Sequence, residues 1–155
     1  MKSIVVIKVP ISYALIIFAA IILLPFKTIA QSKSVKGSPG YFTGNVWVNL
    51  LPTDTTKHCS VAEVSFEKGA RSNWHFHPDQ QVLVITEGSG YLKIKGKPVQ
   101  ILHQGDVVTI PSGAIHWHGS TPDNSFTQIV INPNTDRGVV NWLQKVSDTE
   151  YKSSK

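Results

Sequence analysis

The sequence predicts an all-β domain, an antiparallel sandwich or barrel, on three observations. Strand-length apolar runs recur at close spacing between residues 44 and 131. Glycine or proline stands between many of them. No helix-length pattern interrupts the series until its end.

Residues 44–51 alternate on Val46, Val48 and Leu50, the two-residue period of a strand with one buried face. Residues 61–66 alternate on Ala62, Val64 and Phe66, and residues 81–86 are apolar almost throughout. Residues 91–95 put Leu92 and Ile94 on one face, and Lys95-Gly96-Lys97-Pro98 suits a hairpin turn into the run 99–102. The runs 106–110 and 126–131 complete the series. After Arg137-Gly138 the period changes. Val139, Trp142, Leu143 and Val146 fall at i, i+3, i+4 and i+7, which predicts a short C-terminal helix, packed by Trp142 over an open end of the barrel. One domain over residues 41–151 accounts for the pattern, with no internal repeat.

The start of the chain is different. Lys2 and Lys8 precede an apolar run over residues 11–26, and Thr28-Ile29-Ala30-Gln31 follows. A basic start, an apolar middle and a small residue before a polar one is the plan of a secretory signal peptide over residues 1–30. An uncleaved membrane anchor is the alternative, but it needs about 20 apolar residues, and Pro25 interrupts the end of this run. Export would place the protein in the periplasm or outside the cell. Residues 31–40, rich in Ser, Lys, Gly and Pro, read as a flexible entry linker. The net charge of +5 belongs partly to the leader: without Lys2, Lys8 and Lys27, twelve basic residues face ten acidic ones, leaving +2. No basic patch with interleaved aromatics remains, so nothing points to nucleic acid. Cys59 is the single cysteine and reads as a small buried residue; an intramolecular disulfide is excluded.

The residues that carry chemistry lie in two stretches. His75 and His77 stand at i and i+2, which on a strand is one face. Pro78-Asp79 suits a turn, after which an antiparallel neighbour can bring Gln81 back beside the pair. Further on, Gly105 and Pro111-Ser112-Gly113 punctuate a strand and a turn that deliver His116. Three neutral imidazoles and an amide oxygen make a site for a divalent first-row metal. His118 shares the face of His116 and is read as a proton-handling catalytic residue, an additional donor or a hydrogen-bonded rim histidine. His58 and His103 fall outside both stretches and read as surface residues. Trp74 and Trp117 alternate away from the ligands; Trp47 and Phe126 read as packing residues, and Glu87 as a solvated turn residue.

These stretches resemble the two motifs of the cupin family. Gly69, His75, His77, Gln81 and Gly88 match the spacing of the first, and Gly105, Pro111, Gly113 and His116 that of the second, with Ser120 where Asn is usual. The resemblance implies a double-stranded β-helix, or jelly-roll barrel, with a metal on His75, His77, Gln81 and His116. Most cupins carry Glu at the position of Gln81. A neutral amide leaves the ion its full charge, which weakens retention and sharpens a Lewis acid. Residues 37–151 resemble more narrowly the manganese-dependent cupin hydroxynitrile lyases, through Tyr41 to Val46, His75 to Gln81, Tyr91, Gly105 to Val108, His116 to Gly119 and the tail from Trp142 to Tyr151. Gln128 stands where those lyases carry a histidine thought to act in proton transfer, and Asn132 where they have Gln. Glutamine takes no proton near neutral pH.

The resemblance implies manganese, with iron, zinc, nickel or copper accepted by the same donors, and a small-molecule substrate held in a pocket that includes Ser72, Gln128, Asn132, Ala62 and Val64. It also implies pairing of barrels into a homodimer or higher oligomer. Three functions fit: a cyanohydrin-cleaving lyase with the metal as Lewis acid, a non-catalytic metal or small-ligand binding protein, and a quercetinase-like dioxygenase. The membrane enters only through the N-terminal segment, if that segment stays uncleaved.

Overall fold

The computed structural model describes residues 33–53 and 55–153, so the expected export segment, residues 1–30, lies outside the described residues. Twelve strands carry the fold among them: β1 (Val35–Lys36), β2 (Phe42–Thr43), β3 (Val46–Leu50), β4 (Ser60–Phe66), β5 (Arg71–Ser72), β6 (His75–Phe76), β7 (Gln81–Ile94), β8 (Val99–His103), β9 (Val107–Ile110), β10 (His116–Ser120), β11 (Phe126–Asn132) and β12 (Asn141–Trp142). They join in the order β1-β3-β4-β11-β7-β10-β5-β2, with β8 and β9 on β7, and β6 between β10 and β12. The pairings are antiparallel, and the sheet curls into the half-barrel of an all-β jelly roll.

β7 closes the curl. Its first half pairs with β9 and β11 and its second half with β8 and β10. The sequence pattern shows two runs here, broken at Glu87-Gly88-Ser89-Gly90; the chain makes one strand of 14 residues. Glycine explains the difference. Gly88 has φ 72° and its Cα faces the Ser125 backbone, and a Cβ on Gly90 would lie 2.6 Å from the Phe126 ring. Only residues without a side chain let the strand turn from one sheet into the other there.

Alternation supplies the core. β4 turns Ala62, Val64 and Phe66 inward, and β11 turns Phe126, Gln128, Val130 and Asn132 inward. They meet Val46, Leu83, Ile85, Leu92, Leu102 and Ile110 between the sheets. Burial of each large side chain contributes roughly 1.5–3 kcal/mol. A second apolar cluster covers the outer face of β10, where Trp74, Tyr91, Trp117, Val146 and Tyr151 meet, so Trp74 and Trp117 do alternate away from the histidines.

The C-terminal segment departs from its pattern. No helix forms over residues 139–146. The chain there is extended, β12 pairs with β6, Trp74 N–H donates to Gln144 O and Leu143 N–H to Trp74 O. The edge of β6 offers the hydrogen bonds a helix would have made internally, and the strand lets Trp142 and Val146 serve different clusters. The only α-helix among the described residues is α1 (Asp148–Lys152), started by a capping box in which Ser147 Oγ accepts from Glu150 N–H. Tyr151 anchors it, donating to Ser120 O at 2.7 Å.

Three smaller expectations are corrected. Part of the expected linker is structured, because Val35 and Lys36 pair with the open edge of β3 at Val48 and Trp47. Trp47 is 40% exposed rather than packed, its indole N–H donating to Glu67. Cys59 is half-buried and free. Phe126 is fully buried, and His58, His103 and Glu87 are exposed.

Candidate metal centre

The register of three strands assembles the site. His116 on β10 pairs directly with His75 on β6. His118 follows two residues on and is buried. His77 lies just past β6, where Gly113 N–H donates to its carbonyl at 2.9 Å and ties the two sequence motifs together. Gln81 opens β7, across from β11 with Gln128 and Asn132. The rings of His75 and His116 are 4.2 Å apart, those of His75 and His77 5.2 Å, and those of His77 and His116 5.5 Å.

Backbone carbonyls orient three of these rings. Nδ1 of His75 lies 2.9 Å from Asn73 O, Nδ1 of His77 2.6 Å from Val139 O, and Nδ1 of His116 2.8 Å from Ala114 O. At such distances Nδ1 must carry the proton, which leaves Nε2 of each ring as a bare lone pair. Burial keeps the rings neutral. It holds His75 well below the ordinary imidazole range, with repulsion from His116 and His118 adding to the effect. It lowers His77, and it pushes His116 down to about 4.

Gln81 completes the set. Its amide N–H donates to Asn132 Oδ1 at 3.1 Å, which turns Oε1 toward His116 Nε2, 3.2 Å away. Both atoms are acceptors. Two ligands about 2.1 Å from one ion, at right angles, lie about 3 Å apart, so the pair has the spacing of neighbouring ligands. His77 Nε2 is buried without a hydrogen-bond partner, which is costly for a lone pair unless a cation takes it. The residues present therefore fit a divalent metal.

His118 is placed differently. One ring nitrogen from each of His118, His75 and His116 lies within 4.8 Å of the other two, a grouping that could hold an ion. Yet Nδ1 of His118 faces no carbonyl; Gln128 Nε2 donates to it at 2.8 Å. Burial also holds His118 well below the ordinary imidazole range.

A cavity of about 170 Å³ opens beside these groups. Its floor holds His75, His77, Gln81, His118 and Asn132, and its walls are mainly apolar, including Ala62, Val64, Val130 and Trp142. Ala62, Val64 and Asn132 line this cavity. Ser72 and Gln128 do not border the cavity. Ser72 accepts the backbone N–H of His118 at 3.2 Å, and Gln128 is fully buried behind that ring. Phe42, Val139 and Val140 also line the cavity. Their apolar character gave no sign of it, because the first lies before the motifs and the others in a segment read as helix.

Comparison with known proteins places the chain among similar ones. A family model for the cupin domain matches residues 62–137. An (R)-mandelonitrile lyase from Granulicella tundricola is 35% identical over 130 residues, 83% of this chain and 99% of the relative. An acireductone dioxygenase from Pectobacterium atrosepticum is 31% identical over 78 residues, 48% of this chain and 43% of the relative. The crystal structure of a cupin-like protein from Thermotoga maritima is 41% identical, with a TM-score of 0.76, covering 84% of this chain and 98% of that one.

Proposed function

The chain belongs to the cupin family, and from that premise we propose that it is a metal-dependent lyase of the cyanohydrin-cleaving type. The observation that carries the reading is the convergence of unprotonated acceptors, His116 Nε2 facing Gln81 Oε1 at 3.2 Å beside the unpartnered His77 Nε2, at the floor of an apolar cavity. His75, His77, His116 and Gln81 would hold the ion, with manganese the first candidate and iron, zinc, nickel or copper compatible with the same donors. The ion supplies Lewis-acid stabilisation of negative charge on a substrate oxygen.

The chain's own residues supply the rest. The apolar walls take the hydrocarbon part of a small substrate and exclude water, which strengthens every polar contact at the floor. Asn132 holds the Gln81 amide with its oxygen inward. In the net cleavage of a cyanohydrin the O–H electron pair becomes the second bond of the carbonyl, the carbon–cyanide bond breaks with its electrons on cyanide, and the hydroxyl proton departs with cyanide as hydrogen cyanide. His118 borders the cavity, and in this reading it hydrogen-bonds a reacting atom of the substrate.

Release of cyanide from mandelonitrile by the metal-loaded protein is the test. Absence of release from protein whose metal content has been verified overturns the reading. The likeness to an acireductone dioxygenase over 78 residues favours a second reading, an oxygen-dependent enzyme on the same donors. Oxygen consumption with aromatic diols or flavonols, and no cyanide release, would decide for it.

A further inference from the structure

Four buried histidines converge at one site, three of them (His75, His77 and His118) bordering its cavity, and their hydrogen bonds divide them three to one. His75, His77 and His116 each direct Nδ1 at a backbone carbonyl. His118 alone has an amide against Nδ1, from a glutamine that is 0% exposed. We propose that Gln128 is a positioning residue that fixes His118 as the Nε2–H tautomer, so that this histidine is the cavity's hydrogen-bond donor to an acceptor atom of the bound ligand.

The hydrogen-bond inventory carries the argument. An amide N–H on Nδ1 requires a lone pair there, and a neutral imidazole then carries its proton on Nε2. Gln128 Oε1 is buried without a partner. Reversing the amide would put Oε1 against Nδ1 and leave an NH2 group, with two protons, in that unpartnered place. Buried unpaired donors are rarer than undersatisfied carbonyls, so the orientation with nitrogen on His118 is favoured. The ring is also held in position: Ser72 Oγ accepts the His118 backbone N–H, and Phe66 and His75 meet the ring edge to face at 5.7 and 5.2 Å. With Nδ1 turned to the wall, Nε2–H is the group left for the cavity. A protonated Nε2 has no lone pair for a metal, which separates His118 from the other three despite its closeness. The ligand it suits presents a carbonyl, alkoxide or nitrile acceptor beside an apolar body.

The assignment rests on hydrogen bonds within the protein and not on the proposed reaction. It is tested by nitrogen-15 NMR on the full chain labelled at histidine and glutamine and stripped of metal, with His118 resonances identified by their loss in His118→Asn. The expected spectrum shows His118 protonated at Nε2 and bare at Nδ1, the other three buried rings the reverse, and a coupling across the hydrogen bond from Gln128 Nε2 to His118 Nδ1. Gln128→Met should abolish the coupling, and Gln128→Asn, whose amide is one carbon shorter, should weaken or abolish it. Protonation of wild-type His118 at Nδ1 overturns the proposal, whatever the variants do. Benzaldehyde should shift the Nε2–H resonance; toluene, the same ring without an acceptor, should not. An unmoved resonance with benzaldehyde overturns the donor role. A protein that passes both tests and releases no cyanide would leave this assignment standing and the lyase reading refuted.

Discussion

Gln81 Oε1 and His116 Nε2 face each other at 3.2 Å in a buried site, and with the ring proton on Nδ1 toward Ala114 O both are acceptors. The arrangement is held from behind on both sides, by Asn132 on the Gln81 amide and by Ala114 O on the His116 ring. Such preorganisation destabilises the empty site and favours a cation.

Gln81→Ala should therefore lower metal content per chain at fixed free metal, with affinity falling roughly tenfold to a hundredfold or more, since even residues behind the ligands cost that much. Gln81→Glu should raise retention, because a carboxylate cancels one charge of the ion. Metal analysis after equilibrium dialysis measures both. Unchanged content in Gln81→Ala would remove it from the ligand set.

Acid should weaken the metal-free protein before its carboxylates titrate. Unfolding releases His75, His77, His116 and His118 to the ordinary imidazole value of about 6.5, whereas burial holds them lower when folded, His116 at about 4. Between those values the unfolded chain binds more protons, so stability rises with pH there and is lost as pH falls from about 6.5 toward 4. His116 alone accounts for roughly 3 kcal/mol across that window. Urea midpoints measured from pH 7 to 4 should fall; a flat profile would mean the rings are not buried as neutral groups.

Tyr151→Phe leaves Ser120 O without its buried donor, contributed from α1 at 2.7 Å. The cost is about 1–3 kcal/mol, read as a Tm lower by several degrees. Metal content should not change, because the bond lies on the outer face of β10.

Gly88→Ala places a methyl group against the Ser125 backbone at φ 72°. Strain and overpacking together should cost at least about 2 kcal/mol, seen as a lower denaturation midpoint or loss of soluble protein. Full stability would mean that the bend of β7 does not need glycine.

The fold was legible because its signals are local. Alternation on β4 and β11 names the inward faces, and Ala62, Val64 and Asn132 lie on those faces where they line the cavity. The His75–His77 spacing and the placement of His116 after a glycine-bearing turn likewise survive as geometry. The tail was misread because a spacing of 139, 142, 143 and 146 describes a helix face and also an extended segment that serves two clusters in turn. Only the open edge of β6 decides between them.

The barrel, the strand faces and the donor types are written in the chain, since side-chain period and turn chemistry are properties of neighbouring residues. The proton on each ring is settled by the folded arrangement alone. Whether an imidazole offers a lone pair or an N–H depends on the partner of its other nitrogen, and those partners come in part from distant segments. Val139 O reaches His77 from 62 residues away, and Gln128 reaches His118 from β11, which pairs with β4 and β7 and not with β10.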